Sequence, residues 1–169
     1  ITAVSNGSAT VTAGSGTESA TVAVTVTQEI ASFTLGQDTV MFASLMDTTQ
    51  VDATVLDALG QTISSGTWTW SDEGVATVTD GLITAVSNGS ATVTAESGTE
   101  SATVAVTVTQ EIASFTLSQD TVMFASLTDT TQVDATVLDA LGQTISGATW
   151  TSSDEGVATV TDGLITAVS

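Results

Sequence analysis

The sequence predicts an all-β chain made of tandem two-layered sandwiches, and three observations indicate this. Residues 1–87 recur almost unchanged as residues 83–169, so the repeat period is 82 residues. Within each copy, apolar and polar residues alternate over short segments, and turn-forming residues separate those segments. Self-similarity at such a period is typical of one folding unit copied head to tail. The two copies differ at the pairs Gly14/Glu96, Gly36/Ser118, Met46/Thr128, Ser65/Gly147, Gly66/Ala148 and Trp70/Ser152.

The alternation has a period of two residues, which is the pattern of a β-strand with one buried face. Val51, Ala53 and Val55 fall on one side of their segment, whereas Asp52 and Thr54 fall on the other. Helical spacing is not sustained anywhere in the sequence. We therefore predict seven strands in each repeat. In the first complete repeat they are A (residues 30–35 and 39–45), B (50–56), C (67–71), D (75–79), E (82–86), F (90–95) and G (101–109).

Turn-forming residues lie between these predicted strands. Asp80-Gly81 and Asn88-Gly89 are dipeptides that favour two-residue hairpin turns, because both positions tolerate a positive φ. Further turns are predicted at residues 57–60, 72–74 and 97–98. Seven short strands joined by such turns, in about 80 residues, predict an immunoglobulin-like β-sandwich for each repeat.

Four segments together resemble the bacterial immunoglobulin-like domain, group 2. They are WTSSD (150–154), VATV (157–160), DGLITAVS (162–169) and, one repeat earlier, NGSATVTA (88–95). The resemblance extends over the whole chain and implies the sandwich fold. It also implies a setting, since members of this family recur as stalk repeats in intimin-type, invasin-type and giant surface adhesins. Others occur in phage structural proteins and as spacers beside glycosidase domains.

The resemblance also sets the domain boundaries. Residues 29–110 are expected to form one complete domain, residues 1–28 to supply strands E, F and G of a preceding repeat, and residues 111–169 to supply strands A to E of the following one. Two explanations of this division remain open. The sequence is a window on a longer array, or the chain assembles head to tail with identical neighbours by strand complementation.

The composition excludes several classes of function. No Lys, Arg or His accompanies the 19 carboxylates, and the formal net charge is -19. Such a chain cannot neutralise phosphates, so we expect no nucleic-acid partner. Because Cys and Tyr are also absent, the usual general bases and nucleophiles are missing, and we expect neither enzymatic activity nor any cofactor other than calcium. No apolar run approaches the ~18 residues of a membrane helix, so we expect no membrane insertion within this segment.

The carboxylates suggest a calcium site at each joint between domains. The expected strand directions bring the A–B, C–D and E–F turns of one domain to the joint, opposite the B–C and D–E turns of the next. Calcium binds six to eight oxygen atoms, and it would offset the repulsion between these groups. The alternative is that they are solvated loop residues that provide solubility. The candidate ligands are Asp47, Asp72, Glu73, Glu111, Asp139 and Asp162 at one joint, and Glu29, Asp57 and Asp80 at the preceding one.

Two other residue types are candidates for a role. Trp68 and Trp150 are expected to pack between the sheets, as a strand C tryptophan does in immunoglobulin-like domains. Trp70 is replaced by Ser152 in the second copy, and it is either a partly exposed strand-end residue or a platform for stacking a glycan. Asn6 and Asn88 each begin an Asn-Gly-Ser triplet, which is both a possible glycosylation site and a turn signal.

The sequence therefore predicts a structural stalk or spacer repeat of an extracellular fibre or a cell-surface adhesin, either stiffened by calcium or assembled head to tail. Its expected partners are neighbouring identical repeats or chains, end to end. One alternative is a carbohydrate-binding immunoglobulin-like module, for which glycan contacts are weakly indicated because Trp70 occurs in one copy. The other is a surface structural domain of a phage or virion.

Overall fold

The computed structural model describes residues 1–63 and 66–168 of the chain. Ser65, one of the positions at which the copies differ, lies outside the described residues, as does Ser169. The described residues form sixteen strands and no helix, which confirms the all-β prediction. The strands are β1 (Gly7–Ser15), β2 (Glu18–Val26), β3 (Ser32–Leu35), β4 (Thr39–Phe42), β5 (Thr48–Gln50), β6 (Ala53–Leu56), β7 (Thr67–Trp70), β8 (Ala76–Thr79), β9 (Leu82–Ala85), β10 (Gly89–Ser97), β11 (Glu100–Val108), β12 (Ser114–Leu117), β13 (Thr130–Gln132), β14 (Ala135–Leu138), β15 (Ala158–Thr161) and β16 (Leu164–Ala167).

The strands between residues 32 and 108 build a two-layered sandwich. One layer is a four-stranded sheet in the order β4-β11-β10-β7, in which β4 runs parallel to β11. The other layer contains the sheet β5-β9-β8 and the pair β3-β6. Apolar residues from both layers form one buried cluster between them, because alternate residues of each strand point inward. Val93, Val104 and Ile83 are fully buried at its centre.

Predicted strand B is two strands in the structure. Thr48–Gln50 pairs with β9 in one sheet, whereas Ala53–Leu56 pairs with β3 in another. Between them the Val51 N–H donates to the Gly81 carbonyl at 2.9 Å instead of continuing a ladder. The prediction of one strand was wrong at this point because the segment changes partner halfway along.

One of the two predicted glycine hairpin turns is present and the other is absent. Asp80 and Gly81 have φ values of 50° and 80°, and they join β8 to β9 as a two-residue turn. Asn88-Gly89, in contrast, connects β9 to β10, which belong to different sheets. The hairpin prediction for Asn88-Gly89 was wrong, since this dipeptide leads the chain from one layer to the other.

The two ends of the chain each contain part of the same architecture. At the C-terminal end, β12-β14 and β13-β16-β15 repeat one layer of the sandwich. Residues 121–124 and 149–152, which correspond to β4 and β7, form no strand. At the N-terminal end, β1 and β2 pair as an antiparallel hairpin that corresponds to β10 and β11. Among the described residues, the strands at each end therefore pair only with strands of their own end.

Candidate functional site: the joint between domains

The segment between β11 and β12 is held by backbone hydrogen bonds on both sides. Thr109 and Glu111 donate their N–H groups to the carbonyls of Phe42 and Ala43 at 2.9 Å. Two residues further on, the Ala113 N–H donates to the Leu138 carbonyl at 2.8 Å in the following domain. Alternate N–H groups of the linker thus donate hydrogen bonds first to one domain and then to the next.

Asn88 fixes the side chain and the backbone of Gln110 in the middle of this linker. The Gln110 N–H donates to Asn88 Oδ1 at 2.7 Å, and Asn88 Nδ2 donates to Gln110 Oε1 at 3.3 Å. This geometry arises because Asn88 precedes β10 and Gln110 follows β11, whose ends pair directly through Gly89 and Val108. The side-chain amide of Gln110 is therefore aimed into the following domain.

The Gln110 amide reaches Asp139, in the turn that follows β14. Gln110 Nε2 donates to Asp139 Oδ2 at 3.1 Å. The Leu45 N–H, from the loop after β4 of the complete domain, donates to the same oxygen at 3.0 Å. The other oxygen, Oδ1, accepts from the N–H groups of Leu141 and Gln143 at 3.0 and 2.8 Å. Asp139 is only 3% exposed and its carboxylate receives four N–H donors.

We call Asn88, Gln110 and Asp139 the joint clamp. Burial raises the pKa of the Asp139 carboxyl, but the hydrogen bonds from Gln143, Gln110, Leu45 and Leu141 outweigh burial and hold the pKa below its ordinary value. Hydrogen bonds donated to a carboxylate favour its charged form. The clamp thus keeps a buried negative charge in a chain that has no Lys, Arg or His.

The same clamp occurs at the preceding joint, with Asn6, Gln28 and Asp57. The Gln28 N–H donates to Asn6 Oδ1 at 2.8 Å, and Asn6 Nδ2 donates to Gln28 Oε1 at 3.2 Å. Gln28 Nε2 in turn donates to Asp57 Oδ2 at 3.0 Å. This hydrogen bond is the main cause of a lowered pKa at the Asp57 carboxyl, with further contributions from the Gln61 and Leu59 N–H groups that exceed the opposing effect of burial. Two copies of the joint therefore have the same connectivity.

The two joints differ in one donor and in the burial of the aspartate. Asp139 receives the Leu45 N–H from the complete domain, whereas the residue equivalent to Leu45 at the Asp57 joint would precede the sequence. Asp57 is half-buried, whereas Asp139 is buried. The full clamp thus needs Leu45, Asn88 and Gln110 on one side of the joint and the turn that contains Asp139 on the other.

The other predicted calcium ligands take no part in the hydrogen bonds that define the two clamps. Asp47 and Asp72 accept N–H groups of their own turns, from Thr48 and Gly74, both at 2.8 Å. Asp80 and Asp162 occupy hairpin turns and accept glutamine amides through their backbone carbonyls. Glu29, Glu73 and Glu111 are exposed. Within the described residues no three acidic groups are gathered as a metal site would require, and calcium binding stays a prediction.

Gln28 and Gln110 were not among the candidate residues, although the clamp depends on them. Their sequence signal is weak, since each is one polar residue in a linker without Gly or Pro. Asn6 and Asn88 were singled out as glycosylation or turn residues, and the structure uses both atoms of each amide within the joint. The hydrogen-bonding partner of an amide is set by tertiary contacts that sequence spacing does not reveal.

The tryptophans of the complete domain lie at the sandwich interior rather than at the joint. Trp68 and Trp70 are both half-buried and pack against the core cluster of the complete domain. Trp150 is half-buried in the incomplete C-terminal unit, where it lines a cleft together with Val133 and Ile165.

Comparisons with known proteins assign no family to this chain. No protein-family model matches it, and no curated protein matches it. Among solved structures it is similar to domains 4 and 5 of the S-layer protein SbsC, with 24% identity, a TM-score of 0.45, and coverage of 62% of this chain and 58% of that one. A larger portion of SbsC, rSbsC(31-844), matches 96% of this chain over 24% of its own length, at 19% identity and a TM-score of 0.46. Domains 5 and 6 match at 18% identity and a TM-score of 0.43, with coverage of 83% and 85%. Values this low establish neither a family nor a function for the chain.

Within the described residues no helix is long and apolar enough to cross a membrane.

Proposed function

We propose that this chain is a structural spacer repeat of an extracellular fibre or a cell-surface adhesin, which holds another domain at a distance through joints of fixed geometry. The observation that carries this proposal is the joint clamp, which recurs with the same three residue types and the same connectivity at both joints. A chain whose work is to extend needs each joint to resist bending, and a repeated clamp supplies that resistance.

The linker supports the same proposal. Residues 106–112 contain neither Gly nor Pro, and the N–H groups of Thr109, Gln110, Glu111 and Ala113 all have acceptors. A flexible linker instead leaves its backbone to solvent. With strands of up to nine residues and a rise of ~3.3 Å per residue, each domain adds roughly 30 Å. Reach would then grow in proportion to the number of copies.

The composition fits an exposed position outside the cell. Without Lys or Arg the chain has no cleavage site for trypsin-like proteases, and a net charge of -19 opposes lateral association. The resemblance to the bacterial immunoglobulin-like domain, group 2, belongs to this proposal, as do the extracellular setting and the end-to-end contact between repeats.

Small-angle X-ray scattering of the 169-residue chain tests the proposal. Gln110→Ala removes the amide that links Asn88 to Asp139, and we expect a smaller maximum dimension and a broader distribution of distances than in the wild type. Gln143→Ala is the matched control, because Gln143 contacts Asp139 through its backbone N–H, which alanine keeps. Scattering is compared at dilutions where sedimentation shows a single chain. Identical curves for wild type, Gln110→Ala and Gln143→Ala would rule out a joint stiffened by the clamp.

A further inference from the structure

Asn88 and Gly89 are adjacent at the joint, and the structure constrains each of them for a separate reason. Asn88 uses both ends of its side-chain amide, because Oδ1 accepts from the Gln110 N–H and Nδ2 donates to Gln110 Oε1. Among short side chains, asparagine is the one that offers a separate acceptor atom and donor atom. Gly89 has a φ of 150°, and a Cβ there would lie 2.8 Å from Val75 Cγ2. The geometry of the joint therefore favours asparagine followed directly by glycine.

This pair of residues is also chemically labile. The backbone nitrogen of the residue after an asparagine can attack the side-chain carbonyl carbon, and glycine hinders the attack least because it has no side chain. We propose that Asn88 is a site of spontaneous deamidation whose rate is set by the joint clamp, so that a joint that opens is converted irreversibly into an unclamped form.

The reaction needs only water as a co-reactant. The Gly89 nitrogen loses its proton and bonds to Asn88 Cγ, the Cγ–Nδ2 bond breaks, and ammonia leaves. Water then opens the resulting five-membered imide at one of its two carbonyls. Opening at the side-chain carbonyl gives aspartate, whereas opening at the main-chain carbonyl gives isoaspartate, in which the main chain continues through Cγ. The net change is hydrolysis of one amide to a carboxylate and ammonia.

The closed joint opposes the formation of the imide. Asn88 Cγ must turn onto the Gly89 nitrogen, whereas the two hydrogen bonds to Gln110, at 2.7 and 3.3 Å, hold the amide against the linker. Gly89 is held as well, because its backbone pairs with Val108 at the end of the β10–β11 ladder. The ring therefore closes only after local opening, and its rate follows the fraction of molecules in which the clamp is open.

Deamidation removes the donor on which the clamp depends. The new carboxylate has no N–H for Gln110 Oε1, so two acceptors face each other across that contact. The Gln110 amide relieves this repulsion by turning Nε2 toward residue 88, which takes Nε2 away from Asp139 Oδ2 and from the Thr144 carbonyl. Two carboxylates then compete for one amide in a chain that has no Lys, Arg or His.

Isoaspartate has a larger effect than aspartate. It adds a methylene group to the main chain directly before β10, and so displaces the acceptor of the Gln110 N–H relative to the linker. Aspartate keeps that acceptor in place. The two products therefore differ in how much of the clamp survives.

Both asparagines of the chain lie at joints in the same setting. Asn6 is followed by Gly7, and it exchanges hydrogen bonds of 2.8 and 3.2 Å with Gln28. Because Asn6 and Asn88 are the only asparagines, asparagine deamidation in this chain is confined to its joints. An array of such repeats would then lose its clamps one by one, first at the joints that open most often.

Peptide mass spectrometry of the intact 169-residue protein tests this inference. The protein is incubated in mildly alkaline buffer, natively or in urea, then quenched with acid and digested with a glutamate-specific protease. Peptide 1–18 reports Asn6 and peptide 74–96 reports Asn88, and each contains a single asparagine. We expect Asn88 to deamidate at least about 5-fold more slowly in the native protein than in urea, since opening the clamp costs at least one hydrogen bond. Equal rates in the two states, or no deamidation in urea, would overturn the proposal.

Two variants show whether the clamp sets the rate. Gln110→Ala removes the acceptor of Asn88 Nδ2 but keeps the backbone N–H, and it should accelerate native deamidation of Asn88 about 5-fold. Asn6 in the same molecule is the control, because it contacts Gln28 instead, and its rate should not change. Gln28→Ala should give the reciprocal result. An unchanged rate at Asn88 in Gln110→Ala, or equal acceleration at both asparagines, would mean that the clamp does not control the reaction.

The consequence for the joint is measured on the product. Anion exchange separates the deamidated protein, which carries an additional negative charge, and the isoaspartate-88 fraction is compared with fresh protein by amide hydrogen exchange. We expect the Gln110 N–H to exchange about 5–30-fold faster in that fraction. Unchanged exchange would refute the claim that deamidation releases the joint.

This inference rests on the clamp that carries the proposed function, but its readout is chemical rather than mechanical. If the scattering test fails and the rates still depend on Gln110, the clamp protects Asn88 without stiffening the chain. If the rates are independent of Gln110, this inference fails and the scattering result keeps its meaning.

Discussion

Removal of the Asn88 side chain provides a direct measure of the clamp. Asn88→Ala deletes the bond from the Gln110 N–H to Oδ1 and the bond from Nδ2 to Gln110 Oε1, which are 2.7 and 3.3 Å long. A neutral hydrogen bond contributes about 1 kcal/mol net, so the two together contribute about 2 kcal/mol. Changes of about 1–2 kcal/mol correspond to a factor of about 5–30 in an opening equilibrium.

Amide hydrogen exchange at Gln110 is the assay, because its N–H is the donor that Asn88 protects. We expect its exchange in Asn88→Ala to accelerate by about 5–30-fold, through easier local opening. Asn88→Asp should retain most of the protection, since it keeps the oxygen acceptor.

The duplicate joint supplies an internal control. Asn6→Ala should accelerate exchange at Gln28 and leave Gln110 unchanged, because Asn6 contacts only the first linker among these residues. If Asn88→Ala leaves Gln110 as protected as in the wild type, or accelerates both glutamines equally, the clamp does not act as the structure indicates.

Three further predictions follow from charge, calcium and backbone geometry. Because the folded pKa of Asp139 is lowered, its stabilising effect is present above the unfolded value of about 3.9 and is lost as pH falls through the folded value. The melting temperature of Asp139→Asn should therefore lie below that of the wild type at neutral pH. This gap should close as the pH falls below about 3.9. If calcium stiffens the joints, adding a chelator should lower the melting temperature and shorten the chain in solution, and unchanged values would count against calcium. Gly81→Ala should destabilise more than Gly60→Ala: both glycines have a positive φ, but a Cβ at Gly81 would lie 2.3 Å from the Val51 carbonyl oxygen, whereas Gly60 has nothing within 4 Å. Equal melting temperatures for these two variants would mean that the close approach at Gly81 costs nothing.

The clamp shows how a chain without basic residues can bury a charge between domains. Asp139 cannot form an ion pair with any side chain, since Lys, Arg and His are absent. Three backbone N–H groups and one amide take that role, and they come from both domains and from the linker. Separating the domains would remove the Leu45 and Gln110 donors from the Asp139 carboxylate. A buried carboxylate that lacks partners is very costly. The charge therefore couples the position of one domain to that of the next.

The negative surface and the open strand edges have opposite effects on association. The chain has no Pro or Lys to protect its edges, so repulsion between carboxylates is the main barrier to unspecific sheet pairing.

The sequence alone was sufficient for features that depend on local chemistry. A period of two residues predicted the strands that became β10 and β11, since a half-buried strand imposes alternation wherever it lies. Asp80-Gly81 predicted a hairpin correctly because a positive φ at both positions is a property of those residues themselves.

Only the tertiary structure decided features that depend on distant partners. Residues 48–56 form two strands because their neighbours change from β9 to β3 at Val51, and no property of the segment itself shows this. The role of Gln110 was hidden for the same reason, since its partners Asn88 and Asp139 lie 22 and 29 residues away in sequence. Asp139 was predicted to be a calcium ligand from its place at the joint. The expected strand order was enough to predict that position. The four N–H groups that surround the carboxylate, however, come together only when two domains and a linker meet.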